Sequence, residues 1–296
     1  MRIIVTGGTG FIGRCLIKQL RNAGHDVSTV SRRSSNDLTG IRHYQADVRF
    51  PDAFRDIPRA DAIVHLAGLA DVALSFTNPP LYGQVNAMGT LHMLEIACEM
   101  SSLFVLASSQ RVYRPKREPM AEDDDKKPAD PYGYSKLVAE EWVAMYQRLY
   151  GLRTIVLRFF SVFGPGQAVS SGTSGVVSQF LARAGSDQAL MANNRNLRDF
   201  TYVTDVANGV SLALENPAAV GNTFNIATGR GTCIEELAET VKDVTRSSCA
   251  IISQEVSGDD SYVADITRAM SVLGYVPRID LRQGLELYAE ELLRAR

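Results

Sequence analysis

The sequence predicts an α/β fold, a doubly wound parallel sheet with a smaller C-terminal lobe over the carboxyl ends of its strands. Three observations carry this expectation. Apolar strand-like runs alternate with longer helix-like or loop stretches through the first half of the chain. A glycine-rich turn follows the first run directly. A chain of 296 residues, 45% of them hydrophobic, is long enough to bury one large α/β core and carry an appended lobe.

The first element is the run Arg2-Ile3-Ile4-Val5, and Thr6-Gly7-Gly8-Thr9-Gly10-Phe11-Ile12-Gly13 comes immediately after it. Gly7 suits a tight turn, Gly10 removes the side chain that would block a phosphate, and Gly13 lets the next helix lie against the sheet. Phe11, Ile12, Leu16, Ile17 and Leu20 then repeat at helical spacing, so the turn opens a helix whose free N–H groups face an anion. Glycines also serve ordinary turns, but a strand before and an amphipathic helix after favour the Rossmann reading, a cradle for a dinucleotide pyrophosphate.

Further runs follow at Val27 to Val30, Ile41 to Gln45, Ala62 to Leu66, Leu103 to Ala107 and Thr154 to Leu157. After about residue 160 the alternation gives way to loops such as Gln167 to Gly175 and Ala192 to Asn196. Helices are predicted near Val176 to Arg183, Val203 to Glu215 and Ile234 to Thr245. Residues 1–160 are therefore expected to form the dinucleotide-binding domain and residues 161–296 a smaller substrate-binding lobe, with later segments free to return to the first domain.

Thirty-one basic and 33 acidic residues leave a net charge of −2 with no basic tract, which argues against nucleic acid and for a small-molecule partner. Cys15, Cys98, Cys233 and Cys249 lie far apart without CxxC spacing and read as reduced core thiols, as expected in the cytoplasm. No run is apolar for the roughly 18 residues a bilayer span requires, and no metal-ligand pattern is present.

Tyr132 and Lys136 stand four apart at the start of a long amphipathic segment ending near Tyr150, so a helix puts them on one face. A phenol of ordinary pKa about 10 is a poor base, and a neighbouring ammonium favours its ionised form. Such a pair can exchange a proton with a substrate hydroxyl; the alternative is two ordinary surface residues. Ser108-Ser109 ends the Leu103 to Ala107 run, where a hydroxyl can bond a reacting oxygen or simply cap a turn.

These motifs together resemble the extended short-chain dehydrogenase/reductases, within them the NAD-dependent epimerase/dehydratase family, and most of all enzymes of the UDP-galactose (UDP-glucose) 4-epimerase type. Further matching stretches are Asp47-Val48, His65-Leu66-Ala67-Gly68, Val85-Asn86-Ala87-Met88-Gly89-Thr90, Ser108 to Tyr113, Leu157 to Pro165 and Arg198 to Val203. The resemblance implies that Tyr132, Lys136 and Ser109 are catalytic. It places Asp47 and Val48 beside the adenine, Leu66, Ala67 and Gly68 along the pyrophosphate and ribose, and Asn86 on the cofactor. Phe11 and Ile12 join the glycines at the pyrophosphate. It puts Ser161, Arg198 and Tyr262 with Ser109 at the substrate, Arg198 as a diphosphate clamp. Plain alternatives are a strand-end acid at Asp47, a helix-surface amide at Asn86 and a surface salt bridge from Arg198 to Asp199. The implied activity is NAD(P)-dependent epimerisation of a nucleotide sugar through a transient keto sugar. Net reduction or dehydrogenation is the alternative, and a non-catalytic sensor a more distant one. A homodimer through the Pro79 to Met100 and Pro131 to Tyr150 helices is also implied.

Departures from the family pattern sharpen these expectations. The acid that binds the adenosine ribose of NAD is missing after the second run, where Ser31-Arg32-Arg33 stands; hydroxyl and guanidinium groups favour a 2′-phosphate and hence NADP. Gln110 and Arg111 occupy the places of the acid pair that dehydratases use, and neither is a base at neutral pH. Val256 stands where a second diphosphate-binding arginine is expected, and Ala70 where a cofactor-contacting lysine is.

Overall fold

A seven-stranded, wholly parallel sheet organises the computed structural model, which describes residues 1–33, 38–167, 175–193, 195–255 and 260–294. Its strands are β1 (Arg2–Thr6), β2 (Asp26–Ser31), β3 (Arg42–Gln45), β4 (Ala62–His65), β5 (Leu103–Ser109), β6 (Thr154–Phe159) and the later strand Thr223–Ile226. From one edge the order is Thr223–Ile226, β6, β5, β4, β1, β2, β3. Chain direction across the sheet thus reverses between β1 and β4, the switch point where ligands collect beyond the strand ends.

Alternate residues of β1, β4, β5 and β6 feed two opposite cores. Ile3, Val5, Val64, Val105 and Leu157 pack with Leu16, Ile17 and Leu20 of helix α1 (Phe11–Asn22). Ile4, Ile63, Phe104, Leu106 and Val156 pack with Met93, Leu94, Ala139 and Val143 of the Gly89–Met100 and Pro131–Tyr150 helices. Burial on both faces explains why these strands read as continuous apolar runs.

The chain returns to this sheet late. The Val203–Glu215 helix puts Val206, Ala207 and Val210 into the α1 core, and Gln19 Nε2 donates to its Ser211 Oγ at 3.0 Å. Thr223–Ile226 then pairs with the outer edge of β6. The remaining residues form a lobe with its own core, including Phe180, Leu181, Leu190, Leu237, Val241 and Leu285. It contains the Val176–Ala184, Ile234–Thr245 and Leu281–Arg294 helices and ladders joining Leu190–Ala192 to Ile251–Ser253 and Leu197–Arg198 to Thr232–Cys233.

All four cysteines are free thiols, but only Cys249 is buried; the other three are half-exposed at element surfaces. Among the described residues no helix is long and apolar enough to cross a membrane. Val256 and most of the Gln167 to Gly175 loop lie outside the described residues.

Candidate active site

The carboxyl ends of β1, β2, β4 and β5 open into a cavity of about 400 Å³. Its floor is the glycine turn. Gly7 has φ +72°, and a Cβ there would meet the Ala67 backbone nitrogen at 2.8 Å. A Cβ on Gly13 would come within 2.5 Å of the Gly7 carbonyl oxygen. The turn is pinned at its far side by the Gly7 N–H donating to the Val30 carbonyl at 2.8 Å. Helix α1 begins at Gly10 with no side chain capping it, so its first N–H groups point toward the cavity as an anion site. A side-chain-free cradle, an uncapped helix start and a long apolar cleft fit a dinucleotide.

Every residue expected on the dinucleotide except Asn86 lines this cavity: Gly7, Gly10, Phe11, Ile12, Gly13, Ser31, Arg32, Arg33, Asp47, Val48, Leu66, Ala67, Gly68, Tyr132 and Lys136. Arg32 and Arg33 are exposed at its rim, while the Ser31 hydroxyl accepts from Thr9 Oγ1 at 3.1 Å and donates to the Arg33 carbonyl at 3.0 Å. Asp47 is locked to Arg49, whose Nη2 lies 2.7 Å from Oδ2; that hydrogen bond is the main cause holding the carboxyl below its usual range.

Asn86 stands differently. It is buried, and its amide is engaged by protein: Nδ2 donates to the Leu69 carbonyl at 2.9 Å and Ser135 Oγ at 2.8 Å, while Oδ1 accepts from the Leu69 N–H at 2.8 Å. The surface-amide alternative is thereby excluded. Its amide fixes the loop after β4 to the Pro131–Tyr150 helix, and so holds Gly68 and Leu69 against the cavity.

At the inner end of the cavity lie Tyr132 and Lys136. Asp130 caps their helix by accepting the Gly133 N–H at 2.7 Å, and Pro131 suits its first turn. Lys136 is buried, and Nζ donates to the Ala107 carbonyl at 2.8 Å. Burial lowers its pKa to about 8, with Glu140 resisting the shift, so the cavity holds an ammonium below that pH. Burial raises the Tyr132 phenol above its usual 10; a hydrogen bond from Ser109 and the Arg111 guanidinium act in the opposite direction. His65 sits behind them, its pKa pushed to about 3 by burial and then by Lys136, so its neutral imidazole faces Thr6 Oγ1 at 2.8 Å.

The two serines ending β5 are distinguished by their partners. Ser108 Oγ turns inward and donates to Glu140 Oε1 at 2.5 Å. Ser109 Oγ accepts the Arg111 N–H at 3.2 Å and so caps the Gln110–Val112 turn, and it is close enough to Tyr132 to favour the ionised phenol. The capping alternative holds for this hydroxyl, which also stays beside the phenol.

Beneath the site runs a buried polar network that sequence reasoning missed. Arg158, 1% exposed, donates from Nε and Nη2 to Glu140 Oε1 and Oε2 at 2.9 and 2.6 Å, and from Nη1 to Tyr113 Oη at 2.7 Å. Its only signal was a charged residue inside an otherwise apolar strand.

On the lobe side, Arg198 does not pair with Asp199. That carboxylate is fully buried and accepts from the Thr228 and Gly229 N–H groups, both at 2.9 Å; burial raises its pKa to about 6. Arg198 instead reaches Asp260, with Nη2 at 2.5 Å from Oδ2, and lies over the buried Tyr262 ring. Arg111, absent from the expected site, joins the same cluster. Ser161 Oγ accepts from Gln110 Nε2 at 3.3 Å at the lobe boundary.

The family described as the NAD dependent epimerase/dehydratase family matches residues 3–227. A putative UDP-glucose 4-epimerase of Methanocaldococcus jannaschii is 31% identical over 300 residues, covering 96% of each chain. The structure of a UDP-glucose 4-epimerase from Thermotoga maritima with UDP-glucose superposes with a TM-score of 0.91 at 29% identity, covering 100% of this chain and 99% of that one. That of MoeE5 with UDP-glucuronic acid and NAD gives a TM-score of 0.89 at 31% identity over 100% of both chains.

Proposed function

Since the chain belongs to the NAD dependent epimerase/dehydratase family, we propose that it epimerises a nucleotide sugar through a transient keto sugar. The observation that carries this reading is the placement of Tyr132 and Lys136, one helical turn apart, in the wall of the cavity floored by the glycine cradle, with Ser109 next to the phenol. When bound in the cradle, the dinucleotide supplies a hydride acceptor and donor. Tyr132 takes the proton of the reacting hydroxyl and returns it. Ser109 orients that oxygen, Lys136 contributes positive charge near the phenol and cofactor, and Arg198 holds the diphosphate. Ser161 and Tyr262 line the sugar side.

Arg32 and Arg33 at the cavity rim, with no acid immediately after β2, support NADP over NAD in this chain. By role, residues 1–160 supply the cofactor side and residues 161–296 most of the substrate side. The free thiols accord with a cytoplasmic setting. Incubation with a panel of UDP-sugars and substoichiometric NAD or NADP tests the reading. An epimer is expected without net change at the nicotinamide absorbance band, with tighter uptake of NADP. Stoichiometric cofactor consumption would replace epimerisation by net reduction or dehydrogenation, and clearly tighter NAD binding would remove the assignment to Arg32 and Arg33.

A homodimer is the second part of the proposal. Met88, Tyr134 and Val138 are exposed along a shallow apolar groove between the 79–88 segment and the start of the Pro131–Tyr150 helix. A second copy covering this face would remove them from water. Light scattering is expected to give twice the chain mass, and Val138→Asp to give one chain mass. A wild-type protein that stays monomeric at all concentrations excludes the dimer.

A further inference from the structure

Two half-buried guanidinium groups and one exposed carboxylate meet where the lobe faces the helix that carries Tyr132. Arg111 Nη1 lies 3.0 Å from Asp260 Oδ1, and Arg198 Nη2 lies 2.5 Å from Oδ2 of the same carboxylate. Each carboxylate oxygen thus takes one arginine. Both guanidinium carbons also lie over the Tyr262 ring, 4.7 and 5.6 Å from its centroid, so the fully buried ring fixes their positions. The arginine side chains are 17% and 14% exposed, the Asp260 side chain 42%. The cations are the more buried partners and the anion the more exposed one.

The same arginine reaches the reacting group. Its backbone N–H donates to Ser109 Oγ at 3.2 Å, and its guanidinium lies 3.5 Å from Asp130, the cap of the helix that carries Tyr132. An anion bridging Arg111 and Arg198 would therefore sit within one substrate molecule's reach of the phenol.

We propose that Asp260 is an internal placeholder for a substrate oxyanion, and that Arg111 is the second guanidinium which, together with Arg198, binds that oxyanion when Asp260 is displaced. A bridging carboxylate has the fork geometry that a diphosphate or a sugar carboxylate presents to paired arginines. This inference rests on the nucleotide-sugar reading of the site. It supplies from Arg111 the second cation that the sequence lacks at Val256.

Calorimetric titration of cofactor-loaded wild-type, Arg111→Gln and Asp260→Asn proteins with UDP, UDP-glucose and UDP-glucuronic acid tests it. Arg111→Gln is expected to weaken binding on the order of tenfold, from loss of a charge-assisted contact. Asp260→Asn is expected to tighten it several-fold, because the competing negative charge is gone while the Arg198 contact to the residue 260 backbone carbonyl stays. Both effects with UDP alone identify the diphosphate as the bound anion; effects confined to UDP-glucuronic acid identify the sugar carboxylate. Cofactor titration and thermal unfolding of each variant report folding, and Asp260→Asn, at the more exposed partner, carries the test even where Arg111→Gln does not fold. Weaker or unchanged binding by Asp260→Asn overturns the placeholder. If wild type takes up none of the three ligands, the nucleotide-sugar reading fails. Inorganic pyrophosphate then decides the placeholder alone: tighter binding by Asp260→Asn upholds it, and equal or weaker binding overturns it.

Discussion

Tyr132→Phe is expected to lower turnover on the order of 10³-fold, about 4 kcal/mol of barrier, with cofactor binding essentially unchanged. The phenylalanine keeps the ring edge-on to Tyr82, where the centroids are 6.3 Å apart, so packing at the inner end of the cavity survives. What is lost is the proton-carrying oxygen next to Ser109. Loss of turnover with intact cofactor uptake separates a chemical role from a structural one. Turnover that persists in Tyr132→Phe would show that another group carries the proton, and the assignment of Ser109 and Lys136 around the phenol would fall with it.

Glu140→Ala is expected to cost about 3–5 kcal/mol of folding stability, since it leaves the buried Arg158 guanidinium without its carboxylate. That is a large part of the about 5–15 kcal/mol by which folded proteins are stable. Replacing Glu140 and Arg158 together by methionine is expected to be less damaging, because no charge is then stranded in the core. Denaturant midpoints of the single and double variants check both statements; a Glu140→Ala protein within about 1 kcal/mol of wild type would mean that the pair is not held as described. The same substitution touches the site. Glu140 supports the charge of Lys136, so its removal is expected to move the lysine pKa further down from about 8.

Local patterns made much of this molecule legible. The glycine turn could be read because Gly7, Gly10 and Gly13 each meet a neighbour's backbone within a few residues or across one strand pair, and β1, β4, β5 and β6 because burial on both faces leaves apolar runs. By contrast β2 and β3 carry polar residues, and β3 is largely unburied. Tyr132 and Lys136 were visible because helical spacing alone puts them together. The seventh strand was not legible. Thr223–Ile226 is short, and its central Asn225 belongs in the interior only because Tyr113 donates to its Oδ1 at 2.7 Å and its Nδ2 reaches the Met120 carbonyl at 2.8 Å, partners more than a hundred residues away. Arg111 was hidden for a similar reason. The dehydratase pattern could say which acid it displaced, but its companions Arg198, Asp260 and Tyr262 are brought to it only by the folded lobe.

The late return of the chain to the sheet has a consequence for how the polypeptide is made. When synthesis has passed β6, the cradle, Ser109, Tyr132 and Lys136 already exist, yet the outer rim of β6 still presents a row of unpaired amides and carbonyls. The apolar side chains that will meet Val206, Ala207 and Val210 are bare as well. A polypeptide stopped near residue 160 would hold most of the residues for the chemistry and still be an adhesive fragment, prone to pairing with another nascent copy. The segment from Val203 to Ile226 therefore covers the β6 rim and those side chains, and it can do so only once residue 226 has been made.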